Sequence, residues 1–393
     1  MPLTTPVPDA PEITGREPGS FPHSVFHDRH PRLFTQVRDA LPYGPEQLER
    51  LHALEHETLR GVITPLEAGA AQRDQWDEWG RPYYGLTWTQ APFLWAESFF
   101  YRKLLSATGF FGPGAWTGVD PFGPMKDKEL TGPDVDRELA AFDQIADLSP
   151  DQRDTAMLAA CLWGNRADLG FQITAGHTES RGLLVDDSPL VWSWLRARPA
   201  GRVSLIADNA ARELLPDLLL LDHLLSTGLA AEAVLHVKPA PYYVSDATTA
   251  DTIAALRRLA AAPGRAGEAG RRLWQACRTG RLKIAAHEFF CAPQTFHDLP
   301  TDLAAELAAS RLTVVKGDLN YRRLVGDRRW PPSTGFSLLT DYFPSPVVAL
   351  RTCKSEVAVG LDEQVLARAE AEDPGWRTSG THAVIQLQAG AAP

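Results

Sequence analysis

Apolar positions along the chain fall into two textures. After residue 200 short apolar runs recur at 202–207, 233–237, 282–286, 312–316, 347–351 and 383–387, each closed by polar residues. Between them, amphipathic stretches at 213–225, 249–261 and 303–309 are long enough for the crossover helices that parallel neighbours require. This alternation predicts an α/β fold, doubly wound around a mostly parallel central sheet of about six strands with helices on both faces. Before residue 150 the period is helical instead: Leu48, Leu51, Leu54 and Leu59 recur at turn spacing, and 91–105 is continuous and rich in aromatic residues. The segment 109–133 is dense in Gly and Pro and reads as an ordered connection anchored by Trp116 and Phe122, with another helix at 150–163. Pro2, Pro6, Pro8, Pro11 and Pro18 deny helix and sheet their hydrogen bonds. The expected organisation is a flexible tail over 1–20, an N-terminal helical domain over 21–150 and an α/β domain over 151–393.

Composition narrows this picture. The chain has 393 residues, 44% of them hydrophobic, enough for one large or two modest domains. A formal charge of −10 argues against nucleic acid or an anionic membrane surface as partner, since both reward a basic face. Cys161, Cys277, Cys291 and Cys353 are widely spaced, so neither a disulfide framework nor a thiolate zinc site is indicated. With no leader-like start and no apolar stretch of membrane-spanning length, the expected location is cytoplasmic. No signature of an oligomeric state is legible.

In open α/β sheets ligands bind beyond the carboxyl ends of the strands, so polar residues just after each apolar run are the candidates for chemistry. Asp208 and Asn209 end the first run, and either side chain can cap the helix that follows. Asp246, after the next run, adds a second carboxylate near the same sheet edge. Asp, Asn and Asp form an all-oxygen set suited to a hard divalent ion, Mg²⁺ or Mn²⁺, which keeps waters and takes phosphate oxygens as its remaining ligands. The run ending at Lys316 delivers Gly317, Asp318, Asn320, Tyr321, Arg322 and Arg323, mixing both charge signs with a glycine that admits a ligand to the backbone. Lys316 offers a compact positive charge for phosphate, and Arg351 with Lys354 can clamp the same anion from the opposite side. Lys238, His287 and Glu288 occupy equivalent strand-end positions. Two patterns imitate other chemistry. His52-Ala53-Leu54-Glu55-His56 has the spacing of inverted zinc proteases without a third ligand, and Gly264, Gly267 and Gly270 lack the preceding strand of a dinucleotide fingerprint.

Together these residues resemble the metal-dependent damage-control phosphatase family, in its subfamily III, marked by an Arg-Thr-x-Lys motif and formerly described as protein-glutamate carboxyl methyltransferases. Arg351-Thr352-Cys353-Lys354 fits that motif. The stretch from Lys316 to Arg322, with Gly326-Asp327-Arg328-Arg329-Trp330, resembles the family's most recognisable segment. Asp208-Asn209-Ala210, with Glu213 and Asp217, is similar to its metal-binding helix start. The likeness extends to Trp95-Ala96-Glu97, Tyr101-Arg102 and the stretch from Trp163 to Leu169, and so covers most of the chain. By that resemblance Asp208, Asn209 and Asp246 hold the metal. Asp318, Leu319, Asn320, Tyr321, Arg322 and Lys354 bind a phosphorylated substrate, with Glu97 and Asp168 as further contacts. Asp208, Lys316 and Lys354 are the expected catalytic groups, Asp208 either as nucleophile or as ligand only. One departure is visible: the family usually has glycine after Asp-Asn-Ala, and this chain has Ala211.

The resulting expectation is an enzyme that hydrolyses small phosphomonoesters, of the fructose 1-phosphate or fructose 6-phosphate type, using Mn²⁺ or Mg²⁺, or else Co²⁺ or Ni²⁺. The alternatives are a sugar-phosphate-binding accessory protein without turnover and a carboxyl methyltransferase. Asp208-Asn209-Ala210-Ala211 stands where a methyltransferase needs a glycine-rich cofactor loop. A haloacid-dehalogenase-type phosphatase wants a second Asp where Ala210 stands.

Overall fold

The computed structural model of the chain describes residues 9–145, 147–164 and 182–390. Its centre is a seven-stranded sheet: β1 (Leu183–Asp186), β2 (Gly201–Ile206), β3 (Ala230–Val237), β4 (Leu282–Ala286), β5 (Leu312–Lys316), β6 (Val347–Thr352) and β7 (Ala383–Gln388). The spatial order is β1-β7-β6-β5-β2-β3-β4. From β6 to β4 all neighbours are parallel, whereas β7 runs antiparallel to β6 and carries β1 parallel to itself. The doubly wound α/β architecture is as expected, with one strand more than the six predicted. β1 is four residues long with a single buried position and an irregular register, too little pattern to separate from a loop.

The central strands are buried on both faces, and such strands read as unbroken apolar runs. All five residues of β5 are buried. Alternate side chains supply two cores. Ile206, Val315, Val347 and Ala349 pack with Phe26, Phe34, Trp88, Phe93 and Phe100 from the N-terminal helices. Leu205, Val314, Val348 and Leu350 pack on the other face with Leu214, Leu218 and Leu221. The N-terminal helices to Thr108 are therefore one layer of the sandwich, sharing its core, rather than the separate domain over 21–150 expected above. Leu130, Val135 and Leu139, also before residue 150, join the opposite core.

Of the tail expected over 1–20, residues 1–8 lie outside the described residues, and the stretch from residue 9 is anchored rather than free. Ile13 is 2% exposed, its N–H donates to the Asp327 carbonyl at 3.3 Å, and Arg329 N–H donates to Pro11 at 2.9 Å. Proline excludes this stretch from a helix but leaves an extended chain free to bury Ala10 and Ile13. Among the described residues no helix is long and apolar enough to cross a membrane.

β2 lies between β5 and β3, so the chain leaves it toward one side and later returns on the other. The loops that follow β2 and β5 diverge at this reversal and open a crevice. The turn after β2 is strained: Ala211 is buried and left-handed, with φ 51°. The glycine usual in the family would sit there without the steric cost that Cβ brings. Ala211→Gly is expected to stabilise the protein by about 1 kcal/mol, after the entropy that glycine adds to the unfolded chain is subtracted. A denaturant midpoint that stays or falls in the variant would show that no such strain is held there.

Candidate active site

The crevice is built by two backbone segments tied together. Ala247 N–H donates to the Asp208 carbonyl at 2.8 Å and Ala210 N–H to the Ser245 carbonyl at 2.7 Å, so the turns after β2 and β3 share a bridge between Asn209 and Asp246. Ser245 Oγ donates to Asn209 Oδ1 at 2.6 Å. Asn209 Nδ2 in turn donates to Asp208 Oδ2 at 3.2 Å and to Glu213 Oε2 at 3.0 Å. These bonds direct the amide nitrogen to the carboxylates and leave the Asn209 oxygen as the remaining donor atom toward a cation.

β5 approaches the same carboxylate. A Cβ on Gly317 would stand 1.9 Å from Asp208 Oδ2, and Gly317 has φ +83°. Glycine is what lets the start of the Gly317–Val325 helix lie against Asp208.

Asp246 is buried, with Lys238 Nζ 3.4 Å from its Oδ2, near enough for charge but outside hydrogen-bond geometry. Among the described residues that oxygen has no hydrogen-bond partner. Lys126 Nζ donates to the Asp246 carbonyl at 3.0 Å and fixes the backbone. Burial, then Asp246, then Glu213 push the Asp208 carboxyl well above the ordinary carboxylate range. Burial likewise lifts Asp246 to about 6, against the pull of Lys238. A buried carboxyl beside a second one is raised in this way, and the charge of Asp246 adds to burial at Asp208.

Asp208, Asn209, Asp246, Asp318, Leu319, Arg322, Glu97 and Lys354 all line one cavity of about 420 Å³. Asp318 Oδ1 accepts from Arg351 Nε at 2.7 Å, Ser355 Oγ at 3.0 Å and the Lys354 N–H at 3.2 Å. Burial works against its charge, but Arg351 and Arg322 outweigh burial and hold Asp318 below the usual range. Lys354 is exposed, with Nζ 3.6 Å from Glu213 Oε1. Arg322 is committed within the protein, forked onto Asp327 at 2.8 and 3.0 Å and reaching Glu97 Oε2 at 3.1 Å.

Burial lifts the Glu97 carboxyl to about 7, with Arg322 opposing and Asp327 adding to the rise. Its folded value lies above its ordinary 4.5, so the native protein keeps a proton that the unfolded chain releases. Stability therefore falls as pH climbs from about 4.5 to about 7. Glu97→Gln is expected to flatten that slope and to gain on the wild type toward pH 8, read from denaturation midpoints across the range. Parallel profiles for the two proteins would contradict the assignment.

Several residues expected in the site lie elsewhere. Lys316 is buried against Asp217, with Nζ 2.8 Å from Oδ1 and a further bond to the Cys161 carbonyl, and does not line the cavity. Burial would discharge it, yet Asp217 more than compensates and keeps it charged. Asn320 donates to the Ala207 and Lys316 carbonyls at 3.0 and 2.8 Å, splinting β2 to the helix start. Tyr321 donates to Gln386 Oε1 at 2.7 Å on β7. Arg351 is committed to Asp318 and does not line the cavity. His287 and Glu288 line a different cavity, and Asp168 lies outside the described residues. His52 and Glu55 form a surface pair at 3.7 Å.

Arg29, Arg32 and Gln36 line the same cavity from the N-terminal helices and were not anticipated. A π-turn over Val25–Arg29 precedes the His30–Ala40 helix and sets Arg29 beside the site. Such turns recur at functional sites. Among the described residues neither arginine has an ion-pair partner. In sequence they look like the solvated face of an amphipathic helix, and nothing there marks them.

A family model described as the damage-control phosphatase ARMT1-like domain matches residues 25–368. The chain is similar to damage-control phosphatase ARMT1 of Danio rerio, 30% identical and covering 95% of this chain and 96% of that one. The Mus musculus protein of the same name is 28% identical, covering 95% and 98%. A crystal structure of a DUF89 family protein from Pyrococcus horikoshii overlays with a TM-score of 0.48 at 14% identity, covering 86% of this chain and 96% of that one.

Proposed function

The chain belongs to the damage-control phosphatase ARMT1-like family, and from that premise we propose that it is a divalent-metal-dependent phosphatase of small sugar phosphates, of the fructose 1-phosphate or fructose 6-phosphate type. The observation that carries this reading is the pair Asp208 and Asp246, buried at the reversal point of the sheet with an Asp246 oxygen that has no hydrogen-bond partner among the described residues. Among the described residues no three His, Cys, Asp or Glu side chains form a metal group. Two carboxylates with the Asn209 carbonyl oxygen nevertheless suit Mn²⁺ or Mg²⁺, which fill their coordination with water and phosphate oxygens. When bound, such an ion polarises the phosphoryl group and draws off charge.

The protein's own groups divide the remaining work. Asp208 and Asp246 hold the cation, and Lys238 and Lys126 hold Asp246. Lys354, Arg29 and Arg32 set positive charge around the cavity, where it can balance the negative charge of a dianionic phosphate ester and of its departing oxygen. Asp318 positions Lys354 through its backbone N–H. Glu97, held by Arg322, lies where a sugar hydroxyl can donate to it, and a cavity of about 420 Å³ suits a hexose phosphate better than a nucleotide or a peptide.

A phosphate-release screen over sugar phosphates with Mn²⁺, Mg²⁺, Co²⁺ and Ni²⁺ tests this. Release should require a divalent ion, stop on chelation and be fastest for a ketohexose phosphate. Saturable sugar-phosphate binding without release under any ion would overturn it in favour of an accessory binding protein.

A further inference from the structure

A second cavity, larger at about 670 Å³, shares no lining residue with the active site. The two lie on either side of the loop after β3: Tyr242 lines this cavity, and Tyr243 to Asp246 line the other. Its walls are aromatic, formed by Trp76, Trp79, Phe110, Phe111 and Phe289. Its volume lies within the range of pockets that take small organic ligands.

Within this wall sits a cation with no counter-ion among the described residues. Arg102 is 4% exposed, lies 4.0 Å over the Phe111 ring, and donates to Ser106 Oγ and the Ala71 carbonyl. Neither partner is charged, and among the described residues its Nε has no partner. Burial alone draws its pKa down to about 10, with nothing opposing. Glu288 and Asp298 also line the cavity, but both are exposed and neither pairs with Arg102. Two more residues of the lining carry buried polar atoms without a partner among the described residues, the Tyr242 hydroxyl and the Gln294 amide oxygen. Buried polar groups are ordinarily satisfied, and a buried guanidinium without an anion is costlier still. Three such groups around one aromatic-walled space have the composition of a ligand site.

We propose that this cavity binds a small aromatic organic anion, whose carboxylate meets Arg102 while its ring lies among Trp76, Trp79 and Phe111. The carboxylate supplies the missing counter-charge, and polar ring substituents satisfy Tyr242 and Gln294. The site is independent of the phosphatase reading, since it uses none of that site's residues.

Naphthalene-2-carboxylate titrated into the full chain, followed by tryptophan fluorescence and calorimetry, tests the assignment. Saturable one-to-one binding is expected, unaffected by inorganic phosphate. The neutral naphthalene-2-carboxamide should bind about tenfold more weakly, because it cannot form the charge-assisted bond. Arg102→Met should remove that preference, and Trp79→Ala should weaken carboxylate and carboxamide alike. Trp79 is only partly buried, so that variant is expected to fold even where Arg102→Met does not. Equal affinity of the two probes for the wild type, no binding of either, or binding unchanged by Trp79→Ala would each overturn the proposal.

Discussion

Replacing Asp208 by Asn is expected to remove metal-dependent phosphate release, by about a hundred- to a thousandfold or more, while making the metal-free protein more stable at neutral pH. The two effects have one cause. Asp208 is buried beside Asp246 and Glu213, and its carboxyl is pushed well above the ordinary range. Ionising it in this place therefore opposes folding, and Asn keeps the shape without that charge. A gain of about 1–2 kcal/mol is the expected scale for relieving one such conflict. It should be greatest at neutral pH and shrink in acid, because a protonated Asp208 no longer repels its neighbours. Mn²⁺ should raise the melting temperature of the wild type and leave the variant unmoved. Full phosphate release by the variant, or an undiminished Mn²⁺ shift, would remove Asp208 from the proposed metal site.

Asp208 was legible because sheet topology converts strand ends into site positions. Buried parallel strands appear as unbroken apolar runs, so the ends of β2 and β5 and the loop after β3 can be placed from sequence, and Asp208, Asn209, Asp246 and Asp318 fall beside one another. What sequence does not reveal is the direction in which a side chain leaves the backbone. In the Gly317–Val325 helix, Asp318 and Arg322 are one turn apart and share the cavity face, while Asn320 and Tyr321 point to β2 and β7. Lys316 carries the charge a phosphate wants, yet Asp217, 99 positions earlier, claims it. A positive residue after a strand is read as a ligand group only as long as its distant partner is unseen. The roof of the site was hidden for a related reason: helices before residue 109 look like a unit of their own until Phe26, Phe93 and Phe100 are found in the core of the sheet.

Gly317 is the position where backbone and chemistry constrain each other most tightly. Gly317→Ala should cost about 3 kcal/mol or more, adding the strain of Cβ at φ +83° to a collision with Asp208. The three atoms nearest the new Cβ, at 1.9, 2.0 and 2.6 Å, all belong to the Asp208 side chain. Relief by moving Asp208 would displace a metal-holding group of the proposed site, so release of phosphate should be lost along with stability. Strain and collision are separable. Asp208→Gly removes all three contacts but leaves the backbone conformation as it is, so in the double variant Gly317→Ala should cost about 1–2 kcal/mol rather than the larger figure. The difference, read from denaturant midpoints around the four-protein cycle, is the energy of the close approach itself. A Gly317→Ala protein that folds and hydrolyses like the wild type would mean that the start of the Gly317–Val325 helix does not lie against Asp208.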